Sequence, residues 1–291
     1  METIELEAGA ARATIGARGA EASRWSVGGT QLVWTKDPQV WDATAPILFP
    51  VVGWTAGGRV RVAGKTYPLG LHGFAREMDF AVTRLSPNRA RFSLAASKES
   101  RALYPFEFWL GVQYALFPAA LAVGLTVKNR GQTPMPYACG LHPGFCWPFA
   151  GGGPEDYAIE FAQAEDPRVP EVSADGLFRA SRRTAPLDGR RLALTPEAFA
   201  AEALCFLDAR SRSLRFLGPR GAALTVETAN FNHVALWSRR GAPFLCVESW
   251  TGHGDPEGFS GDLYEKPSMR VLAPGALAHH VARYSFRPPE G

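Results

Sequence analysis

The sequence predicts an all-β chain built as a large antiparallel β-sandwich of two packed sheets, and three observations predict it. Glycine (30 residues) and proline (23) punctuate the 291 positions, the rhythm of many short strands joined by turns. Helix formers nowhere sustain the 3.6-residue spacing of an amphipathic helix for long. The connections are tight: Asn129-Arg130-Gly131 ends a strand, Arg239-Arg240-Gly241 joins two strands as a hairpin, and Pro274-Gly275 turns between the last pair. Antiparallel neighbours need only such links, whereas parallel strands need crossovers of about a dozen residues or more.

In chain order, apolar runs and apolar–polar alternation predict strands over residues 2–7, 12–15, 31–34, 78–84, 89–97, 106–116 and 120–128. The second half adds 214–216, 223–227, 234–238, 244–248, 269–272 and 277–286. The basic stretch 179–191 contains Pro186, Asp188 and Gly189 and reads as a solvated loop. Residues 151–153, all glycine, mark another loop, but no linker, low-complexity tract or internal repeat divides the chain. Residues 1–291 are therefore expected to form one domain.

Composition excludes several functions. A hydrophobic content of 46% can bury a large core, and a net charge of +3 with acidic and basic residues interspersed argues against a nucleic-acid surface. The start of the chain carries Glu2, Glu5 and Glu7 and lacks a basic, apolar leader, and no apolar run is long enough to cross a bilayer, so cytoplasmic residence is expected. Cys139, Cys146, Cys205 and Cys246 show no metal-ligand or CxxC spacing and read as buried free thiols.

Three segments combine a titratable residue with punctuation that fixes it. In His72-Gly73-Phe74-Ala75-Arg76, the glycines at 70 and 73 keep backbone bulk from the imidazole. In Gly140-Leu141-His142-Pro143-Gly144, the proline biases His142 to an extended conformation. In Phe244-Leu245-Cys246-Val247-Glu248-Ser249-Trp250, an apolar strand ends in a carboxylate, where desolvation is costly unless a partner or a function compensates. Either histidine alone would more often be structural than catalytic. Tryptophans at 147, 237 and 250 suit ordinary core packing or the apolar face of a sugar ring.

Together these segments resemble the aldose 1-epimerase (galactose mutarotase-like) family, in particular its shorter bacterial branch. The likeness runs from Asp37-Pro38 and Trp41 through Pro46-Ile47-Leu48-Phe49-Pro50-Val51-Val52-Gly53, Tyr67, Leu69, the His72 segment, Asn129, Met135-Pro136-Tyr137, the His142 segment with Phe145, and Cys246 to Trp250. The resemblance implies a supersandwich fold with a groove on one sheet and an isomerase that interconverts sugar anomers. It implies Glu248 as general base, His142 as general acid and His72 as a second, orienting histidine. Arg76, Trp54, Trp147 and Trp250 are the expected substrate contacts. Ring opening needs a proton removed from the C1 hydroxyl and one delivered to the ring oxygen, with Glu248 ionised and His142 protonated; no metal or other cofactor is required.

The chain departs from the family pattern at two places. Trp54 stands where an arginine is common, and Ser249 where a proline usually separates the glutamate from the tryptophan. Arg59, Arg61 and Lys65 lie near enough in sequence to serve a hexose 6-phosphate, though an exposed hairpin carries such residues ordinarily. A non-catalytic sugar binder is the rival from another class, and retention of His72, His142 and Glu248 argues against it. A two-carboxylate hydrolase lacks a second acid, since Asp255 and Glu257 read as surface loop. His253 and Asp255 flank Gly254, but no metal is expected, and the adjacent His279 and His280 face opposite sides of a strand. The partner is a small-molecule sugar, with no nucleic acid or membrane, and the protein is expected as monomer or homodimer.

Overall fold

The computed structural model describes residues 2–290, and its architecture follows from which strand faces are apolar. A ten-stranded antiparallel sheet runs, edge to edge, Leu187–Asp188, Arg191–Ala193, Ala158–Phe161, Ser213–Leu217, Ala223–Ala229, Leu277–Arg287, Ala120–Asn129, Phe108–Phe117, Arg89–Ala95 and Ala81–Ser86. Its longest pair registers Leu110 with Val127, Val112 with Leu125 and Tyr114 with Val123, so every second residue faces the interior and all six are buried. Strict alternation over ten residues is why these strands were legible.

A six-stranded sheet packs on that face. Phe244–Trp250 pairs on one side with His233–Trp237, which in turn pairs with Leu204–Phe206. On its other side it pairs with Gly140–Leu141, backed by Ile47–Leu48, and with Gly144–Cys146. Leu245 and Val247 point into the shared core, where Phe145 meets Tyr284 of the larger sheet at 5.3 Å between ring centroids and Phe206 meets Phe161 at 4.9 Å. An N-terminal sheet of Thr3–Ala8, Ala11–Gly16, Ala22–Val27 and Thr30–Gln31 is tied to the large sheet by the Tyr114 hydroxyl, which donates to the Ala20 carbonyl at 2.7 Å. Among the described residues one α-helix occurs, Lys98–Leu103, capped by Ser97, and none is long and apolar enough to cross a membrane.

Three expectations are corrected. Part of the stretch 179–191 is strand, not loop: Phe178–Thr184 pairs with Arg168–Val172 in a two-stranded ribbon whose arginines are mostly solvent-facing, so no burial pattern betrayed it. Pro274-Gly275 is a turn, but the strands it joins lie in different sheets, Arg270–Leu272 pairing with Met135–Tyr137. The carboxylate strand does not stop at Glu248; it runs on to Trp250, buried throughout.

Gly73 joins the sheets to the site. It has φ +71°, and a Cβ there would fall 2.3 Å from the Phe49 carbonyl oxygen, so both backbone conformation and close approach demand glycine. Gly28 has φ +57° with open space around it. Gly73→Ala is expected to cost roughly 3 kcal/mol and Gly28→Ala only about 1 kcal/mol. Denaturant midpoints at unchanged slope measure both.

Candidate active site

The outward face of the strand Phe244–Trp250 carries Cys246, Glu248 and Trp250, since alternate residues share a side. Glu248 is 2% exposed. The ladder beside it is interrupted: Leu141 pairs with Ser249 and Gly144 with Cys246, leaving His142-Pro143 opposite Val247 and Glu248. Proline has no N–H to donate, so regular pairing fails there. The gap presents the imidazole of His142 to Glu248, with Nε2 at 3.2 Å from Oε2. The Trp250 indole N–H donates to the same oxygen at 2.9 Å.

His72 arrives from a separate turn with φ 62°, a conformation disfavoured for a non-glycine residue and found where a site holds strain. Its ring lies 5.4 Å from that of His142, perpendicular to it. The Gly53 amide donates to His72 Nδ1 at 3.1 Å, and because a backbone N–H can only donate, the neutral ring carries its proton on Nε2. His142 is different, since its Nδ1 has no hydrogen-bond partner among the described residues. Arg76 follows on a short 3₁₀ turn, its Nε 3.6 Å from Glu77, beyond hydrogen-bond reach.

These residues line a groove of about 730 Å³. Its aromatic walls are Trp41, Trp54, Phe178, Trp237 and Trp250, with Trp41 5.3 Å and Trp237 5.9 Å from the His142 ring. Trp54 is 44% exposed and lies against the backbone of Gly176. The charged lining besides Glu248 is Asp42, Asp175 and Glu202 against Arg76 and Arg239.

Burial dominates the electrostatics. Desolvation lowers the His142 pKa from 6.5 to about 3, with nearby Arg76 adding to the effect. Desolvation, then His142 and Arg76, take His72 well below its ordinary value. Desolvation pushes Glu248 well above 4.5, opposed only in part by the Trp250 hydrogen bond. Burial thus works against the expected resting carboxylate–imidazolium pair, since desolvation disfavours the charged form of each group. The neutral pair and the ion pair hold the same single proton and differ only in which group bears it.

Of the expected residues, the structure brings together Glu248, His142, His72, Arg76, Trp250 and Trp54. Trp147 is not among them: it packs on Phe199, and its indole N–H goes to the Pro154 carbonyl at 2.9 Å. Asp255 is no surface residue but 2% exposed and paired with Lys266, whereas Glu257 is exposed as expected. Arg59, Arg61 and Lys65 sit on the hairpin of Arg59–Val62 and Lys65–Pro68, outside the groove, with Arg61 bonded to the Ser260 carbonyl. Trp41, Asp42, Phe178 and Glu202 were missed as lining residues. Trp41 stood in the recognised segments and was the one with a signal.

Residues 2–255 match the family model for aldose 1-epimerase. Protein LacX of Lactococcus lactis subsp. lactis is 30% identical over 260 residues, covering 84% of this chain and 86% of that one. The crystal structure of a galactose mutarotase-like protein from Lactobacillus casei superposes with a TM-score of 0.91 at 28% identity, covering 98% of this chain and 100% of the other. A galactose mutarotase related enzyme from Lactobacillus acidophilus gives 0.90 at 28%, covering 98% and 97%.

Glu248 burial makes a stability prediction. Its folded pKa is raised, so its contribution to stability is complete below the unfolded value of 4.5 and is lost as pH climbs toward the folded one. Glutamine has no such equilibrium, and its oxygen in the place of Oε2 can accept both from Trp250 and from His142 with the ring proton on Nε2. Glu248→Gln is expected to melt roughly 2 °C or more above the parent at about pH 7, the gap closing toward about pH 4. Calorimetry across that range checks the sign.

Proposed function

The chain belongs to the aldose 1-epimerase family, and we propose that it interconverts the α and β anomers of a free aldose, with Glu248 and His142 moving the protons. The observation that carries this reading is the contact itself, a buried carboxyl 3.2 Å from a buried imidazole on the floor of an aromatic-walled groove.

Ring opening changes two oxygens on one carbon. The C1 hydroxyl must lose a proton, and the ring oxygen must gain one as its bond to C1 breaks. A pair that shares one proton is set up for this, because one member holds the proton and the other has a free lone pair. Once the proton resides on His142, Glu248 as carboxylate takes the C1 hydroxyl proton and His142 delivers its own to the ring oxygen. The bond to the ring oxygen breaks and the aldehyde forms, with total charge unchanged. Rotation about C1–C2 exposes the other face of the carbonyl, and the two groups exchange roles to close the ring.

The remaining residues bind and orient. His72 offers an N–H of fixed position to a sugar oxygen, and Arg76 offers an Nε–H that has no hydrogen-bond partner among the described residues. The indole faces of Trp41, Trp237, Trp250 and Trp54 suit the C–H faces of a pyranose. The charged rim favours an unphosphorylated sugar, since its three carboxylates, Asp42, Asp175 and Glu202, outnumber its two guanidinium groups, Arg76 and Arg239, and the three hairpin cations lie elsewhere.

Polarimetry of freshly dissolved α-D-glucose and α-D-galactose tests the reading. The parent is expected to speed equilibration over buffer, and Glu248→Gln and His142→Asn each to lose roughly 10²-fold or more in kcat. Full activity in either variant would remove that residue from the chemistry. The pH profile gives a second test. The active one-proton pair gains its second proton only as pH nears the lowered His142 value of about 3, and loses its last one above the ordinary carboxylate range. The acid limb of kcat/KM is expected only as pH nears about 3; an acid limb near the unshifted histidine value of 6.5 would contradict the lowered His142 pKa.

A further inference from the structure

Beyond Trp250 the chain loops past the groove, and this loop buries two charges that the proposed chemistry does not use. Asp255 is 2% exposed and Lys266 3%, and neither lines the groove. Burying an ion is costly unless it is paired and hydrogen-bonded, and these two pair with each other. Lys266 makes no other side-chain hydrogen bond among the described residues, so the pair is held for what Asp255 does.

Asp255 grips the turn that follows Gly53. Its Oδ2 accepts the Ala56 N–H at 2.8 Å, and its own backbone N–H donates to the Trp54 carbonyl at 2.8 Å. The preceding Gly254 lies so close to Gly53 that a Cβ on Gly53 would fall 2.5 Å from its Cα. The opposite side of the same turn touches His72. Gly53 donates its N–H to His72 Nδ1 at 3.1 Å and accepts the His72 N–H at 3.0 Å. Gly53 is thus clasped between the histidine and the segment that carries the ion pair.

We propose that Asp255 and Lys266 are positioning residues for the sugar site: by clamping the turn Gly53 to Ala56 they hold the Gly53 N–H on His72 and so keep the imidazole proton on Nε2, aimed at the groove. This rests on the proposed role of His72 at the anomeric centre. A histidine is symmetric enough to carry its proton on either nitrogen, and the hydrogen bond made by one nitrogen decides what the other offers. Without the clamp the turn is free to drift, the tautomers mix, and part of the population presents a lone pair where the sugar needs a donor.

The test uses the double variant Asp255→Ala, Lys266→Met, which removes the side-chain arm of the clamp, the bond to the Ala56 N–H, without leaving an unpaired buried charge. Its partner Asp255→Asn, Lys266→Met keeps a neutral acceptor for the Ala56 N–H. Long-range ¹H–¹⁵N correlation spectra report the His72 tautomer directly, and polarimetry gives kcat and KM. The parent is expected to show the Nε2–H form alone. The alanine variant is expected to show both tautomers, with kcat reduced roughly tenfold or more and KM within about twofold; the asparagine variant is expected to recover both readouts. A folded alanine variant with the parental tautomer and kcat overturns the proposal.

Should the alanine variant not fold, Ala56→Pro carries the same test. Thr55 already has the extended conformation required before proline (φ −103°, ψ 144°), and Ala56 opens a 3₁₀ turn, so the substitution deletes the clamped N–H and little else. Mixed tautomers with lowered kcat support the clamp, and an unchanged His72 overturns it. A parent that accelerates no mutarotation sinks the proposed function instead, while the tautomer spectra, which need no turnover, still decide this proposal.

Discussion

Placing a carboxyl group on the central strand of the inner sheet is the constraint on which the rest of the site depends. Glu248 is paired with Ala235 on one side, faces the broken strand that carries His142 on the other, and is 2% exposed on the groove floor. In such a position a carboxyl must be neutral or hydrogen-bonded by groups as fixed as itself. Both partners come from the same sheet: Trp250 two residues along the same face and His142 from the neighbouring broken strand. The geometry of the acid–base pair is a property of strand register, and a one-residue slip would turn Glu248 into the core and Val247 into the groove. The large sheet behind it, locked by alternating apolar residues over its longest strands, prevents that slip.

The site is accordingly part rigid and part adjustable. Glu248 sits on a ladder position, and His142 sits in a two-residue gap held between paired residues on both sides. His72 and Trp54 sit on turns, where backbone conformation costs free energy and something outside the sheet must hold it. The positive φ of His72, the close approach of Gly73 to Phe49 and the contact of Gly53 with Gly254 are three points at which those turns are pressed against the frame. This division suits the proposed chemistry, in which a proton-transfer pair would need a fixed distance whereas the turns would set which sugar ring is accepted.

Legibility in the sequence followed burial pattern. Strands with one core face and one solvent face, such as Phe108–Phe117 and Ala120–Asn129, announced themselves by alternation. Strands of two or three residues, such as Ile47–Leu48 and Gly140–Leu141, are too short to carry a period, and Phe178–Thr184 has no core stripe to show. Glu248, His142, His72 and Arg76 were readable because the segments around them resemble a family; their convergence was not readable from spacing. Asp255 was misassigned because glycines and prolines around it resemble any surface loop, and the lysine that justifies its burial lies eleven residues away in a loop of the same composition. The weight of burial in the electrostatics was not legible for a related reason. Attraction between opposite charges is visible in a list of residues, while desolvation depends on what packs over them.

Desolvation of the pair is also compatible with the proposed acid–base chemistry. A solvent-exposed carboxylate and imidazolium near neutral pH would each be stabilised by water, and moving a proton between them and a sugar would require that water to reorganise. In the proposed mechanism the ionic form of the buried pair is reached by transfer across one 3.2 Å contact, with the Trp250 N–H already directed at the carboxyl. Burial raises the free energy of the charged form, and a sugar whose hydroxyls hydrogen-bond to it lowers that free energy again. On the proposed function, the same burial that raises the Glu248 pKa in the free protein would tie its ionisation to the presence of a polar ligand.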